Sequence, residues 1–315
     1  MILTSDLLLE SVKRGISFTS TNEGLDDDDL LAFAYEEVVS LIVPELTALR
    51  QEFLVTSKTI DLVDGTASYR LPYRAYGRTL RDVVFVDASG NRRSLPMIQP
   101  EDAHRYQPTS TSEGPPQAFY LQNDHIVVVP TPDSSSEDLI VTFPMRPSKI
   151  VATDEVGTVS AVNFSTGVVT LAAALSTVTT STATDFVCYR SGNIIKAYDL
   201  TPTNVASTQV TYTAASLPTD LAAGDYLCLA QQSPVVPIPE EAVVVLARAV
   251  QNRVLESIGD LENLQIGQQV LNQRLAQMRS ALTPRVEGEA PVILGGALRH
   301  FLGGGRRRYP KISVE

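Results

Sequence analysis

The apolar residues of this chain follow a helical period towards its two ends and a period of two between them. They recur every three or four positions from Asp26 to Glu52 and again from Pro237 to about Leu282, which predicts amphipathic helices. From Phe53 onward, polar and apolar residues alternate, which predicts short strands bounded by turns. Helices and strands that occur in separate runs indicate an α+β chain.

The N-terminal helical stripe carries clear start and interruption signals. Four aspartates, Asp26 to Asp29, stand where the positive end of a helix dipole attracts negative charge. Pro44 is expected to kink or split this helix, because proline lacks the N–H that the helix uses. A shorter helix is predicted from Ser5 to Arg14, with Ser5 as its N-cap and Gly15 as its stop.

The C-terminal helical stripe begins with a proline-rich segment, residues 237–239, followed directly by Glu240–Glu241. Prolines outside or within the first turn and acids behind them are typical of a helix start. We expect one long helix that reaches Leu282 and is broken or loosened near Gly259 and Gly267.

The composition changes between these helices. Residues 148–235 are rich in Thr, Ser, Val and Ala and nearly free of Lys and Arg, and turn residues divide them into short pieces, as in small β-domains. We interpret this segment as an inserted antiparallel β-domain. The predicted division is therefore residues 1–147 for the N-terminal helices and a β-rich part, 148–235 for the insertion, 236–283 for the long helix and 284–315 for an extended basic arm.

Charge is distributed unevenly along the chain. The formal net charge is −11, but six basic and three acidic residues from Thr283 onward give that end +3, so the preceding body carries −14. An acidic body argues against a protein that grips nucleic acid, because affinity for phosphates comes largely from Lys and Arg.

The basic end has no periodicity and contains repeated glycines and the run Arg306–Arg308. Three interpretations stay open for this run: a solvated end, docking into an acidic protein groove, or contact with nucleic acid. The neighbouring Tyr309 favours docking onto a protein, since an aromatic anchor beside arginine is common in binding hot spots.

No catalytic constellation is recognisable. The three histidines, His104, His125 and His300, lack a second ligand at metal spacing. Adjacent helical acids such as Glu36 and Glu37 point about 100° apart and do not converge on one bond. We therefore expect no enzyme, no cofactor and no metal.

The cysteines and the first residues of the chain indicate the cellular compartment in which it is made. Cys188 and Cys228 lie in apolar, strand-like runs and are expected to be reduced core thiols, with a disulfide as the alternative. The first ten residues lack the basic start and apolar run of a signal peptide, and no apolar stretch approaches the length that spans a bilayer. We expect a soluble protein that is made in the cytoplasm.

Several short segments, taken together and in order, suggest a family. Asp29–Glu37 followed by Ile42–Pro44 resembles the opening of phage head-to-tail adaptor (connector) proteins. The further similar segments, in the same order, are Tyr69–Pro72, Arg74–Gly77, Leu80–Val83, Pro100–Asp102, Ala118–Leu121 and Val127–Pro132. The resemblance covers roughly residues 25–147 and, more weakly, the helix after Pro237.

This resemblance implies a fold and a role. Such adaptors have a helical core in which N-terminal helices pack on the long C-terminal helix, together with a β-rich part. They form a ring, usually dodecameric, beneath the portal, extend its DNA channel and join it to a tail nozzle or tube protein and to tail fibres. The resemblance thus implies that the protein lies in the neck of the virion and that assembly takes place in the host cytoplasm. DNA would pass through the ring without specific binding, and no membrane contact is implied.

The resemblance also implies roles for particular residues. C-terminal arms of such adaptors commonly climb onto the portal, so the candidate docking residues here are Arg299, Phe301, Arg306, Arg307, Arg308 and Tyr309. Candidate residues for the channel lining or the subunit interface are Asp26, Asp27, Asp28, Asp29, Glu36, Glu37, Glu240 and Glu241. The insertion is larger than in the simplest adaptors. Another tail component (a nozzle, tube or fibre-attachment protein) is the alternative, and a cell-wall hydrolase would need convergent carboxylates.

Overall fold

The computed structural model describes residues 4–16, 25–49, 52–107, 113–188 and 195–283. The chain divides into two units, Met1–Leu282 and Thr283–Glu315. Beyond Thr283 the second unit lies outside the described residues, and so do all the predicted arm residues: Arg299, Phe301, Arg306, Arg307, Arg308 and Tyr309.

The N-terminal helices are α1 (Ser5–Gly15), α2 (Asp27–Glu37) and α3 (Val43–Leu49). Helix α2 starts with a capping box in which the carboxylates of Asp26 and Asp29 each accept the other residue's backbone N–H, which satisfies two groups that a helix end leaves unpaired. A π-helical turn, Val38–Ile42, ends two residues before Pro44, so the predicted interruption near the proline is confirmed.

The N-cap of α1 differs from the prediction by one residue. Thr4 is the cap, and its side chain accepts the backbone N–H of Leu7 at 3.4 Å. Ser5 is instead the first helical residue and is fully buried, so it could not serve as an exposed cap. The predicted stop is correct, since α1 ends at Gly15.

The remaining helices are the short α4 (Ala103–Tyr106), α5 (Glu240–Ile258) and α6 (Leu261–Leu282). Helix α5 packs against α1, α2 and α6, and together they bury one apolar core. The most deeply buried residues of this core are Ala34, Val38, Ile42, Leu46, Ala242, Leu246, Val250 and Val254. The predicted helical core and the α+β class are therefore confirmed.

The C-terminal helical stripe folds back on itself. Gly259 adopts the left-handed conformation with φ 82° and ends α5, which glycine does with little strain. Arg274 of α6 donates to the backbone carbonyl of Val244 near the start of α5 at 3.2 Å, so the two helices run antiparallel. The predicted break at Gly259 is confirmed, but Gly267 lies buried inside α6, where a Cβ atom would stand 2.1 Å from Oδ1 of Asn252.

The N-terminal half contains two antiparallel sheets. The strands are β1 (Val55–Asp61), β2 (Ser68–Arg70), β3 (Asp82–Val86), β4 (Arg92–Ser94), β5 (Ala118–Gln122), β6 (His125–Val129) and β7 (Asp138–Pro144). One sheet has the order β1-β7-β3-β4 and the other has the order β2-β6-β5. Both sheets contribute to one core that includes Leu62, Phe85, Ile126, Val141 and Phe143, so they pack face to face as a sandwich.

The remaining strands form a second β-structure. They are β8 (Lys149–Ile150), β9 (Gly157–Asn163), β10 (Val168–Leu171), β11 (Thr184–Val187), β12 (Ile195–Leu200), β13 (Asn204–Ala206), β14 (Gln209–Thr211), β15 (Tyr226–Leu229) and β16 (Gln232–Ser233). Seven of them form one sheet, β12-β11-β15-β9-β10-β14-β13, over its own core around Phe186, Tyr212 and Leu227. Strands β8 and β16 pair in parallel at the two ends of this segment. The predicted domain boundaries themselves stay a prediction.

Two turn glycines allow a test of this second core. Gly167, in the β9–β10 hairpin, has φ 71°, and a Cβ atom there would stand 2.1 Å from the backbone oxygen of Tyr212; Gly90 has φ 83° and open space around it. Gly90→Ala should therefore lower the free energy of unfolding by about 1–2 kcal/mol through backbone strain alone.

Gly167→Ala should cost about 1–3 kcal/mol more than the Gly90 substitution, because backbone atoms cannot move away as a flexible side chain can. Urea unfolding of the two variants measures the difference. Equal losses would show that the β9–β10 loop does not pack against Tyr212 as described.

Candidate interaction surfaces

A buried arginine joins the sandwich to the seven-stranded sheet. Arg74, which follows β2, is only 1% exposed. Its Nη2 donates to both carboxylate oxygens of Asp185 on β11, at 2.7 and 2.6 Å, and to Oδ1 of Asp199 on β12 at 2.9 Å. Burial opposes the positive charge, but the carboxylates of Asp185 and Asp199 outweigh it and raise the pKa of Arg74 above its ordinary value. This guanidinium stays charged.

Further hydrogen bonds fix the same carboxylates. Asp185 accepts the backbone N–H groups of Asp199 at 2.9 Å and Gln231 at 3.0 Å. The Tyr73 hydroxyl donates to Asp199, and the Tyr198 hydroxyl donates to the backbone oxygen of Ser57 on β1 at 3.0 Å. We call Tyr73, Arg74, Asp185, Tyr198 and Asp199 the Arg74 cluster. It is a structural junction, and the sequence analysis did not find it.

The predicted acidic residues occupy three separate places. Asp26 and Asp29 form the capping box of α2, and Asp27 makes an ion pair of 2.6 Å with Lys13 of α1. Glu240 and Glu241 lie in the first turn of α5, where the helix dipole favours them. These five acids thus have local roles at helix starts, and a role in a channel or interface stays a prediction. Asp28 is exposed in the same first turn of α2.

Glu36 and Glu37 lie where α2 meets α5. Arg253 of α5 is 3.7 Å from Glu36 and 3.0 Å from Glu256, so one guanidinium serves several carboxylates. Burial, with Glu36 and Glu256 nearby, raises the pKa of Glu37 above its usual value in spite of Arg253. Glu36, Glu37 and Arg253 line a shallow cleft of about 430 Å³. The surface is acidic overall.

The outer face of α6, in contrast, is poor in acidic residues. It bears no acidic residue from Asn263 to Leu282, and Leu261 and Ile266 on this helix are 68% and 55% exposed. Six exposed amides cover much of the rest: Gln265, Gln268, Gln269, Asn272, Gln273 and Gln277. Depletion of charge combined with exposed apolar side chains is typical of the centre of a protein interface.

A second cleft lies on the sandwich. It has a volume of about 480 Å³ and is lined by Lys58, Thr59 and Ile60 of β1 and by the segment Tyr69–Tyr73. Strands β1 and β2 are the edge strands of the two sheets, so the cleft runs along one open side of the sandwich. It combines an apolar floor with two basic side chains.

The described residues offer no metal centre. Within these ranges no group of three or more His, Cys, Asp or Glu side chains could hold a metal ion, and His300 lies outside them. Cys188 and Cys228 are buried thiols that form no disulfide within the described ranges, as predicted, and burial raises the pKa of the Cys228 thiol. None of the helices in the described part of the chain is long and apolar enough to cross a membrane.

The chain matches a known protein family over most of its length. The model of a protein family described as SU10 adaptor protein matches residues 8–294. No protein with a curated description matches the chain. The family match extends from α1 through both β-structures to α6, and all members of the Arg74 cluster lie within it.

The Arg74 cluster leads to a stability prediction. Arg74→Ala leaves the buried carboxylate of Asp185 without its counter-charge, which should cost about 3–5 kcal/mol of unfolding free energy. The double variant Arg74→Met with Asp185→Asn removes this buried pair of charges, keeps an oxygen for the backbone N–H groups of Asp199 and Gln231, and should recover part of that loss. Urea unfolding measures both, with Arg92→Ala on exposed β4 as the control. A loss of less than about 1 kcal/mol in Arg74→Ala would contradict the described junction.

Proposed function

The chain belongs to the SU10 adaptor protein family of phage head-to-tail adaptors, and from this premise we propose that it is a non-enzymatic ring subunit beneath the portal. It is a structural adaptor protein of a phage and a component of the virion. The observation that carries the proposal is the extent of the family match, residues 8–294, which includes the helical core and both β-structures.

Ring assembly requires two different faces that fit each other, because a head-to-tail contact closes into a ring. The charge-poor face of α6 is our candidate for one of them. Identical chains with a net charge of −11 repel each other wherever carboxylates face carboxylates, and the α6 face avoids this cost. We propose that α6 meets a neighbouring copy and that the complete ring is dodecameric.

The ring would extend the DNA channel from the portal towards the tail. An acidic lining repels the phosphates and lets the genome slide, whereas a basic lining would hold it. The exposed acids at the start of α2 and along α2, Asp28 and Glu36, are candidates for this lining. DNA would pass without specific binding, both during packaging and during ejection.

The basic end would fix the ring to the portal. Its proposed docking residues are Arg299, Phe301, Arg306, Arg307, Arg308 and Tyr309. Arginine and aromatic side chains in an extended segment add contact area and anchor points on a partner surface. The opposite side of the ring would bind the nozzle or tube protein and the tail fibres. This places the protein in the neck, after assembly in the host cytoplasm.

A role elsewhere in the tail is the second candidate, and the size of the seven-stranded sheet favours it. Gold labelling of the chain in purified particles distinguishes the two. Label at the head-tail junction supports the adaptor position, and label along the tube or at the fibres supports the alternative.

The arm can be tested by deletion. Removal of Gly295–Glu315 should leave the circular dichroism spectrum and the thermal unfolding of the protein unchanged, because the described core ends before this segment. The truncated protein should no longer sediment with purified portal rings. The full chain is the control, and unchanged binding of the truncated protein to portal rings would contradict the arm model.

The α6 face can be tested by adding charge. Gln269→Glu with Gln273→Glu places two carboxylates on this face and should prevent assembly into rings on the portal, while the single subunit stays folded. The control, Gln99→Glu with Gln122→Glu, adds the same charge at exposed positions of the sandwich. Native mass spectrometry with and without portal rings measures both. Normal rings from the α6 variant would exclude this face as a contact between copies.

A further inference from the structure

The cleft between β1 and β2 has an open strand edge on one side. Strand β1 pairs along its whole length with β7 and has no other partner strand in the described part of the chain. At one end the Leu54 oxygen accepts the Met145 N–H at 2.8 Å, and at the other the Leu62 N–H donates to the Glu137 oxygen at 2.9 Å. Even-numbered residues therefore bond to β7, and odd-numbered residues direct their backbone groups outward.

Only part of this outward edge is covered. The Ser57 oxygen accepts the Tyr198 hydroxyl of β12, so the seven-stranded sheet closes the first half of the edge. For Thr59 and Asp61, no hydrogen bond to their outward backbone groups is present among the described residues. Thr59 lines the cleft of about 480 Å³, and Asp61 lies two residues further along β1. An edge of this kind is where extended peptides add a strand.

The basic charges of the cleft indicate that such a peptide must carry acidic side chains. Lys58 and Arg70 both line the cleft and are exposed, and neither makes an ion pair with another residue of the described ranges. They form a small basic site on a body with a charge of −14. Lys58 lies directly opposite Val141 of β7, so its side chain projects on the core-facing side of the sheet, towards the cleft.

The same lysine argues against a second copy as the occupant. Antiparallel pairing of two β1 edges would bring the lysines of the two copies together, and an edge lysine is a common device against such self-pairing. Asp61 projects on the opposite side of the strand from Lys58. Carboxylates of an added strand are therefore attracted on the side of Lys58 and repelled on the side of Asp61.

We propose that the cleft binds an extended acidic segment of another protein, which adds as a strand to β1 at Thr59 and Asp61. The backbone N–H and C=O groups of these residues would bond to the segment, and its carboxylates would face Lys58 and Arg70. Apolar parts of the segment would lie on Leu71 and Pro72. This goes beyond ring assembly, because it assigns the cleft to a partner other than a second copy.

The experiment uses the full chain and two labelled probe peptides. One, TETETET, carries three glutamates on one side of an extended strand; the other, TKTKTKT, carries lysines in their place. Fluorescence anisotropy should show at least tenfold tighter binding of the glutamate peptide. The double variant Lys58→Glu with Arg70→Glu should reverse this order. Because free subunits are measured, failure of ring assembly would not affect the result.

A backbone variant tests the strand addition itself. Thr59→Pro removes an N–H that faces outward, so the bonds of β1 to β7 remain, as proline on an edge strand permits. This substitution should lower the affinity for the glutamate peptide at least tenfold, and Thr59→Ala, the matched control, should leave that affinity unchanged. Hydrogen exchange with bound peptide should slow at the amides of Thr59 and Asp61.

Three results would overturn the proposal. The wild type could bind both peptides with equal affinity, or the charge-reversed variant could still prefer the glutamate peptide. In the third result, free subunits associate with each other and Thr59→Pro abolishes that association. The last result would assign the edge to a second copy. If Thr59→Pro fails to fold by circular dichroism, the charge reversal decides alone.

Discussion

The structure depends on the neutralisation of one buried cation. Arg74 is enclosed between two β-structures, and a buried charge is tolerated only when opposite charges and hydrogen bonds compensate for the lost water. The compensating residues come from far along the chain, Asp185 at a separation of 111 residues and Asp199 at 125. The position of the seven-stranded sheet against the sandwich therefore follows from where these carboxylates must lie. Directional bonds of this kind fix an orientation more strictly than apolar contact, which is non-directional.

This junction also decides which surfaces remain open. Because Asp199 is held at Arg74, its neighbour Tyr198 reaches β1 and covers the edge at Ser57. The edge beyond it, at Thr59, stays accessible beside the cleft. The charge-poor face of α6 belongs to the helical core instead, which has its own set of buried residues. Surfaces for a neighbouring copy and for a different partner can thus lie on separate parts of one subunit and act without competing.

Local signals in the sequence predicted most of the elements. The aspartates before α2 and the left-handed Gly259 act within a few residues of themselves, and each is recognisable from the sequence pattern alone. Two sequence-based predictions, at Ser5 and at Gly267, differ from the structure. Thr4 replaces Ser5 as the N-cap because burial of Ser5, a tertiary effect, overrides its propensity. The sequence predicts Gly267 to be a weak point of a single helix, but it is the position where α5 approaches α6, and no local pattern reports that approach.

The candidate site was harder to predict for the same reason. The acidic run before α2 is conspicuous in the sequence, yet Asp26 and Asp29 cap their own helix and Asp27 pairs with Lys13 of α1, so a run of like charges in sequence need not form a surface of like charge. The informative features are the proximity of Lys58 and Arg70, which lie on strands of two different sheets, and the absence of carboxylates from Asn263 to Leu282 of α6. An assembling chain with a high net charge must place its contacts where that charge is weakest or reversed. For this reason the charge-poor face of α6 and the basic cleft, rather than the acidic runs, are the surfaces on which its partners should be sought.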